Sequence, residues 1–432
     1  MTSAKPADGD LAEAVLAAVR ALKEALPDHS RPVVAYSGGN DSTVLLHVLA
    51  TAGLEPRALY VEHGLQRDIT DTWQAHVRAA CTKFGVPLSI VAAAVEQRAG
   101  VSLEAAAREA RYAALARAVA SDEWVVTAHH EDDQAETVLL QLLRGAGPAG
   151  LAAMPMLRWY GTLPVGRPLL QVPATAIAAY LEAHDLATFK DPSNTDTRFD
   201  RNYLRHEVLP RVRARWPGFA ATLARSAGWQ ADASRILAAD GARSLRTVQR
   251  QPGVLSAQAL LRLPDPQQRN VLRQAVSAES LPAPDSRRLR ALQQLIRANA
   301  GRGQVCWPGA LVMRYRDDLH LLPALPLQPP EDWTARLIGR LDLPVDLGVL
   351  HWEGAEDTEL RVRFRQAGDR VPLAGGQGHT ALAKWFQKAS VPPWERQRMP
   401  LILAEDQIVA IGDQWLLRAA PARFGALRWE RQ

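Results

Sequence analysis

Cysteine is nearly absent from this sequence of 432 residues, in which only Cys81 and Cys306 occur, far apart in the chain. This scarcity excludes a disulfide-stabilised scaffold and any cysteine-rich metal site. No uncharged apolar run reaches the roughly 18 residues that a membrane-spanning helix requires. The first residues include acidic Asp8, Asp10 and Glu13, and they lack the basic and apolar regions of a signal peptide. We therefore expect a cytoplasmic protein.

Lysine is also scarce, with six residues, so almost all of the positive charge comes from arginine. The net charge of +5 is unevenly distributed, being −7 over residues 1–200 and +11 over residues 201–300. Residues 301–360 carry −5, and residues 361–432 carry +6. An acidic first half followed by basic segments indicates a catalytic body with an arm for a polyanion, although a solvated helical face would explain the charge equally well.

Residues 31–145 alternate short β-branched runs with amphipathic segments, which is the pattern of βαβ units and a parallel sheet. The predicted strands are Val33–Tyr36, Ala58–Glu62, Leu88–Val91 and Trp124–Thr127. Proline and glycine cluster from Gly145 to Pro173, which predicts a long loop. We therefore expect an α/β, Rossmann-like catalytic domain with a parallel sheet over residues 1–215.

The rest of the chain divides by composition into three parts. Residues 216–320 predict an α-helical, arginine-rich domain. The acidic segment 321–358 has four prolines within the nine residues Leu322–Pro330 and predicts a linker. Residues 359–432 predict a small α+β domain. Within it, Leu360–Arg365 alternates apolar and basic residues, as a half-buried strand does.

The most specific motif is the loop between the first predicted strand and its helix, formed by Ser37, Gly38, Gly39, Asn40, Asp41 and Ser42. Glycines allow backbone N–H groups to face inward, and the following helix N-terminus favours an anion, so the loop can bind phosphate. Asp41 would repel phosphate unless it holds a cation, and Mg²⁺ would explain it. The motif lacks the Walker ending and the dinucleotide spacing. The alternative is a plain glycine turn capped by Asp and Ser.

A second cluster runs from His129 to Thr137, directly after the fourth predicted strand, and contains four acids. Asp133 and Glu136 are three residues apart and share one helix face, where they could bind a cation or the ammonium group of an amino acid. The alternative is a surface helix whose acids favour its N-terminus. Zinc is disfavoured because His129 and His130 are adjacent rather than four residues apart.

Three further segments are placed to reach the same sheet edge. His63 follows the second predicted strand, and Arg108 and Arg111 lie on a helix from which they could reach a polyphosphate. A polar loop, Lys190–Asp196, leads into the segment Arg201–Arg205. Each feature alone is also common on protein surfaces. Together they could surround one site.

These motifs resemble those of the tRNA(Ile)-lysidine synthases, a family within the PP-loop superfamily of N-type ATP pyrophosphatases. The Ser-Gly-Gly-x-Asp-Ser loop indicates only the superfamily. The narrower resemblance rests on segments spread over about residues 31–420, namely His129–Thr137, Leu143–Gly147, Arg167–Leu170, Asp191–Asn194, Arg201–Asn202, Gly368–Arg370, Lys384–Phe386 and Val391–Pro393.

The resemblance implies ligation of free L-lysine to C2 of the wobble cytidine of an isoleucine tRNA with a CAU anticodon. ATP first adenylates the base with release of pyrophosphate, and the amine of lysine then displaces AMP. Mg²⁺ would assist. The expected catalytic residues are Asp41, His130, Asp133 and Glu136.

The expected binding residues fall into four groups. ATP would be bound by the Ser37–Ser42 loop with His63 and Arg111, and the metal by Asp41 and Asp133. Lysine would be bound by Asp133 and Glu136. The residues expected to contact tRNA are Arg201, Arg205, Arg370, Lys384, Lys388 and Arg396.

Two rival functions remain at this point. A PP-loop tRNA 2-thiolation enzyme would activate its base in the same way, but it needs sulfur-handling cysteines, and this sequence has no Cys-x-x-Cys pair. A non-catalytic RNA-binding protein would explain the charge distribution but not an intact phosphate loop beside a carboxylate cluster. The sequence leaves the oligomeric state open between a monomer and a homodimer.

Overall fold

The computed structural model describes residues 8–27, 30–62, 67–94, 103–189, 196–298, 303–324, 327–330, 332–354, 359–372, 378–417, 419–420 and 424–431. The chain forms two compact units, Met1–Leu237 and Ala238–Gln432. Within the described ranges, no helix combines the length and apolarity needed to cross a bilayer.

A six-stranded sheet organises the first unit. Its strands are β1 (Arg31–Ala35), β2 (Arg57–Glu62), β3 (Leu88–Ala92), β4 (Glu123–Val126), β5 (Leu157–Tyr160) and β6 (Leu163–Gly166). They lie in the order β3-β2-β1-β4-β6-β5, and β5 is the antiparallel member. The central position of β1, with β2 and β4 on either side, places the residues that follow β1 and β4 at neighbouring points of one sheet edge.

Helices cover both faces of this sheet, as parallel strands require. The helices of the first unit are α1 (Asp8–Lys23), α2 (Asn40–Thr51), α3 (Arg67–Phe84), α4 (Leu103–Ala118), α5 (Glu131–Leu143), α6 (Pro148–Leu151), α7 (Ala174–Ala183), α8 (Asp200–Tyr203) and α9 (Leu209–Arg215). A π-helical turn, Leu204–Val208, joins α8 to α9, and α10 (Phe219–Val248) runs from the first unit into the second. Val15, Leu45 and Ile177 pack on one face of the sheet, and Leu115 packs on the other.

The four predicted parallel strands are confirmed, but the long loop predicted from Gly145 to Pro173 is wrong. That segment contains α6, β5 and β6, and β6 extends the sheet beside β4. Pro164 and Gly166 gave β6 the appearance of a loop. Gly166 is instead required by packing, because a Cβ atom there would overlap the ring of the fully buried Trp124.

The sequence predicts a helical domain over residues 216–320, but the structure contains both helices and strands there. Its helices are α11 (Ala257–Leu261), α12 (Asp265–Ala278) and α13 (Ser286–Arg297). They pack on an antiparallel sheet made of β7 (Gln249–Gln251), β8 (Val254–Ser256), β9 (Gly303–Trp307), β10 (Ala310–Tyr315) and β11 (Asp318–Leu322). The strands β7 and β8 have three residues each, too few to show a period-two pattern.

The terminal module begins before residue 359, inside the segment predicted as a linker. That segment contains β12 (Thr334–Leu337), β13 (Arg340–Asp342) and β14 (Val349–Glu353). The rest of the module consists of β15 (Leu360–Arg363), β16 (Arg370–Pro372), β17 (His379–Ala381), α14 (Leu382–Lys388), α15 (Pro393–Arg396), β18 (Leu401–Ala404), β19 (Gln407–Ile411), β20 (Trp415–Leu416) and β21 (Ala426–Glu430). Because β12 pairs with β15 and β14 pairs with β21, the described part of this segment belongs to the module.

Replacing Gly166 with Ala is expected to lower the free energy of unfolding of the first unit by about 1–3 kcal/mol, because the added methyl group overpacks the core at Trp124. Urea denaturation measures the change. Gly228→Ala is the matched control, since Gly228 lies inside α10 with open space at its Cβ position. The control is expected to be neutral or to gain up to about 1 kcal/mol from helix propensity. Equal stability of the Gly166 variant and the wild type would contradict the packing argument.

Candidate active site

The loop after β1 forms the floor of the candidate site. Gly38 has a φ of +79°, which favours glycine, and Gly39 is the N-cap residue of α2. Two aromatic residues fix the loop from outside. The indole N–H of Trp73 donates to the Ser37 carbonyl at 2.6 Å, and the backbone N–H of Phe189 donates to the Gly38 carbonyl at 2.8 Å.

Inside the loop, two hydroxyl groups and the helix N-terminus converge. The Oγ atoms of Ser37 and Ser42 lie 3.0 Å apart, and Ser42 Oγ also donates to the Gly39 carbonyl at 3.1 Å. Since Gly39 has no side chain to cap α2, the first N–H groups of this helix can bind an anion. The geometry suits a phosphate group, as the sequence predicts.

A cavity of about 200 Å³ opens above the loop. The loop, α4, the segment after β4 and α5 supply its polar lining, which includes Ser37, Asp41, Ser42, Arg111, His129 and Asp133. Arg111 therefore lines the same cavity as the phosphate-binding loop. The structure thus brings together residues that are up to 96 positions apart in the sequence.

The N-terminus of α5 places a histidine between two carboxylates. His130 caps the helix, and its Nδ1 atom accepts a hydrogen bond from the Asp132 backbone N–H at 3.2 Å. Its own backbone N–H donates to Asp133 Oδ2 at 3.1 Å. The Nε2 atom of His130 lies 3.8 Å from Asp41 Oδ2 and 3.6 Å from Asp133 Oδ2. This ring therefore connects the phosphate loop to the acidic cluster.

A buried ion network lies behind this histidine. Arg201 donates to Glu136 Oε2 at 2.7 Å and to Asp133 Oδ1 at 3.0 Å. Arg205 donates to Glu136 Oε1 at 2.6 Å, to Glu136 Oε2 at 2.9 Å and to Asp133 Oδ1 at 2.9 Å. Glu136 is only 1% exposed, and both of its carboxylate oxygens accept from arginine. The two residues expected to bind lysine are thus paired with two residues expected to bind tRNA.

Family models match three parts of the chain, described as a PP-loop domain at residues 12–212, a TilS substrate binding domain at residues 255–320 and a TilS substrate C-terminal domain at residues 360–431. The tRNA(Ile)-lysidine synthase of Methylococcus capsulatus is 40% identical over 410 residues, which cover 89% of this chain and 91% of the relative. The enzyme of that name from Xanthomonas campestris pv. campestris strain 8004 is also 40% identical, over 92% of this chain and 94% of its own.

The chain belongs to the tRNA(Ile)-lysidine synthase family. Among solved structures, the U34-tRNA thiolase NcsA from Methanococcus maripaludis aligns with a TM-score of 0.43 and 18% identity, covering 51% of this chain and 78% of its own.

In this lysidine synthase family member, the site holds carboxylates in two different electrostatic states. Burial raises the pKa of Asp133, but the charges of His130, Arg201 and Arg205 outweigh it and lower the pKa to about 2. Burial raises the pKa of Asp41, and the negative charge of Asp133 adds to that increase against the charge of His130. Asp133 is therefore ionised and paired with arginine, whereas burial disfavours the charge of Asp41 although His130 lies nearby.

Several site residues were not predicted. Trp73 and Phe189 carry no motif that would have revealed their position around the loop. His129 was noted but given no role. In the structure it hydrogen-bonds Thr127 at 2.8 Å through Nδ1, and burial lowers its pKa to about 3, so the ring is neutral. His63 and the predicted loop residues 190–195 lie outside the described residues.

The residues of the terminal module that are expected to contact tRNA differ in their exposure to solvent. Arg370, Lys384 and Lys388 are exposed on the terminal module, and the two lysines lie four apart on α14. Arg396 is instead buried, so its predicted contact with tRNA is wrong. Its guanidinium donates to the Val391 carbonyl at 2.9 Å and to the Tyr315 hydroxyl at 3.1 Å, and it ties the terminal module to the strand β10.

Replacing Glu136 with Gln is expected to destabilise the first unit by about 3 kcal/mol, because two arginines lose the charge that compensates them in a buried network. Urea denaturation provides the measurement. Asp200→Asn is the matched control, since Asp200 pairs with Arg144 where both side chains are exposed. That change is expected to cost less than about 1 kcal/mol. A loss for Glu136→Gln no larger than that of the control would contradict the assignment.

Proposed function

We propose that this enzyme ligates L-lysine to C2 of the wobble cytidine of tRNA(Ile) with a CAU anticodon, which changes codon reading from AUG to AUA. The reaction consumes ATP and releases AMP and pyrophosphate. Given that the chain belongs to this family, one observation of the structure supports the proposal most directly. The loop after β1 and Asp133 of the carboxylate–arginine cluster line one cavity, so an activated base and a cationic amino acid would meet there.

In the first step, O2 of the cytidine attacks the α-phosphorus of ATP, and the bond to pyrophosphate breaks. The N–H groups at the start of α2, with Ser37 and Ser42, are placed to bind phosphate oxygens. Arg111 lines the cavity and would balance the charge on the departing pyrophosphate. Fixed donors of this kind stabilise charge that develops in the transition state without reorganising at that moment.

Mg²⁺ fits the donor set on the loop side of the cavity. Asp41 is 41% exposed and lies on the loop, and burial raises its pKa against the charges of His130 and Arg205, so a cation at this carboxylate would favour its ionised form. Within the described residues, no three His, Cys, Asp or Glu side chains form a metal cage. Mg²⁺ usually takes one or two carboxylates together with substrate phosphates, so Asp41 is sufficient, and Asp133 is a second ligand for the metal only as the alternative to binding lysine. When bound, the ion would supply charge stabilisation at the phosphates.

In the second step, the amine of lysine attacks C2, and the bond from C2 to the oxygen of AMP breaks. Asp133 lines the cavity in its ionised form and is suited to bind an ammonium group of the substrate. Glu136 would act on lysine mainly through Arg201 and Arg205, whose positions it determines. His130 holds Asp41 and Asp133 at a defined separation.

The thiolation alternative conflicts with the state of the cysteines. Cys81 is buried, and burial raises the pKa of its thiol to about 11, so the reactive thiolate is suppressed. Cys306 lies in the second unit, on β9.

A cytoplasmic location agrees with substrates that are free lysine, ATP and tRNA, and a homodimer remains a prediction.

The decisive experiment measures AMP formed from ATP and CAU-anticodon tRNA(Ile), with and without lysine. We expect lysine to be required for release of AMP and to appear in the modified tRNA. Asp41→Asn is expected to fold normally and to lose this activity by about 10²-fold, the scale of removing one charge-stabilising group. Asp71→Asn, at an exposed position of α3, is the control and should retain it. Turnover without any dependence on lysine would refute the proposal.

The lysines of α14 are proposed to contact tRNA phosphates, since both are exposed on one helix face. Lys384→Ala combined with Lys388→Ala is expected to weaken tRNA binding. The change should also reduce the slope of log affinity against log salt by about two, because two counterions fewer are released. Filter binding at several salt concentrations measures both effects, with Lys83→Ala in the first unit as control. Unchanged slopes would show that α14 presents its charge only to solvent.

A further inference from the structure

The outer face of α10 exposes two large apolar side chains among its polar residues. Phe219, Ala220 and Ala227 form its buried inner side. Trp229 is 68% exposed and Ile236 is 70% exposed, and their seven-residue spacing places them on one line of the opposite face. Single exposed apolar residues are common, but an exposed tryptophan aligned with an exposed isoleucine indicates a surface that another molecule covers.

The helix α10 begins beside α5, the helix that supplies Asp133 to the candidate active site. On α9, which precedes α10 in the chain, Arg213 pairs with Asp132 of α5 at 2.8 Å. At the start of α10, Phe219 and Ala220 pack in one cluster with Ala135 of α5. Trp229 follows Arg225 by four residues, or about one helical turn. An RNA strand that reaches the site past the start of α5 would therefore lie near α10, on which Arg225 and Trp229 are exposed.

The charge of this segment identifies the kind of partner. Residues 209–237 contain five arginines and a single acid, Asp232. Stacking aromatic rings next to guanidinium groups are typical of surfaces that bind single-stranded RNA. A second copy of the chain would need roughly 20–30 residues on each side for a stable interface. Two aligned apolar side chains with arginines around them do not provide that.

We propose that Trp229 stacks on an unpaired base of the tRNA, close to the nucleotide that reacts, and that Arg225 contacts an adjoining phosphate. This inference rests on the proposed function, because that function requires an anticodon-loop base to enter the cavity. Unpaired loop bases are the part of an RNA that aromatic side chains can reach. Trp229 is then a positioning residue, which holds the loop while the cytidine reacts.

The test compares full-length variants in tRNA(Ile) binding and in lysine-dependent AMP release. Trp229→Ala is expected to raise the Kd for tRNA about tenfold, whereas Trp229→Phe, which keeps a stacking ring, should stay within about twofold of the wild type. The KM for tRNA should rise with Trp229→Ala while the KM for ATP stays unchanged. The salt slope should be unchanged for Trp229→Ala and reduced by about one for Arg225→Ala.

Trp159→Ala is the matched control, because Trp159 is 50% exposed on β5. It should bind tRNA as the wild type does. Equal affinity of Trp229→Ala and the wild type would overturn the inference and leave the proposed function intact. A fall in molecular mass from dimer to monomer in light scattering would also overturn it, by assigning the face to a second copy. Failure of the wild type to release AMP in response to lysine refutes the proposed function, whatever the behaviour of Trp229→Ala.

Discussion

Two carboxylates buried three residues apart on α5 impose the strongest constraint on the first unit. Removing a carboxylate from water costs several kcal/mol unless a charged partner and hydrogen bonds compensate it. Arg201 and Arg205 supply both for Asp133 and Glu136. These arginines lie 65 to 72 positions further along the chain, so the chain must return to α5 after α7. The π-helical turn that contains Arg205 lies at this point of return, and such turns are frequent at functional sites.

The acidic residues of the site fall into two groups. One group is paired with arginines of the protein, and the other would be paired when substrates bind. Asp133 and Glu136 are paired with two arginines, whereas Asp41 lies on the loop, where burial raises its pKa against the charge of His130. His130 connects the two parts through its distances of 3.8 Å to Asp41 and 3.6 Å to Asp133. In the proposed reaction, the paired carboxylates of α5 therefore face the loop after β1. The charge of Asp41 on that loop would be stabilised when ATP and its cation bind.

Charge summed along a sequence is a poor measure of the charge that a protein presents to RNA. The region 201–300 is strongly basic, yet Arg201 and Arg205 neutralise acids of α5. Arg314 and Arg396 are buried, and they satisfy backbone carbonyl groups within the second unit. The arginine side chain can serve as a structural clamp because its planar fork donates several hydrogen bonds at once. Exposure distinguishes Lys384, Lys388 and Arg225 from these structural cations.

The sequence by itself determined the features that depend on residues close together in the chain. Four parallel strands, the glycine-containing loop after β1 and the N-terminus of α5 were all predictable, because hydrophobic period, glycine placement and helix capping are local properties. The position of Arg111 near the loop followed only as an expectation from topology.

The tertiary structure alone decided the rest. Gly166 reads as a loop residue, and only the ring of Trp124 shows why a strand has glycine there. The pairing of Glu136 with Arg205 joins two surface-like charges that no spacing rule connects. Contacts of this kind form because groups far apart in sequence are buried together. A local sequence pattern does not show which distant group a residue will contact.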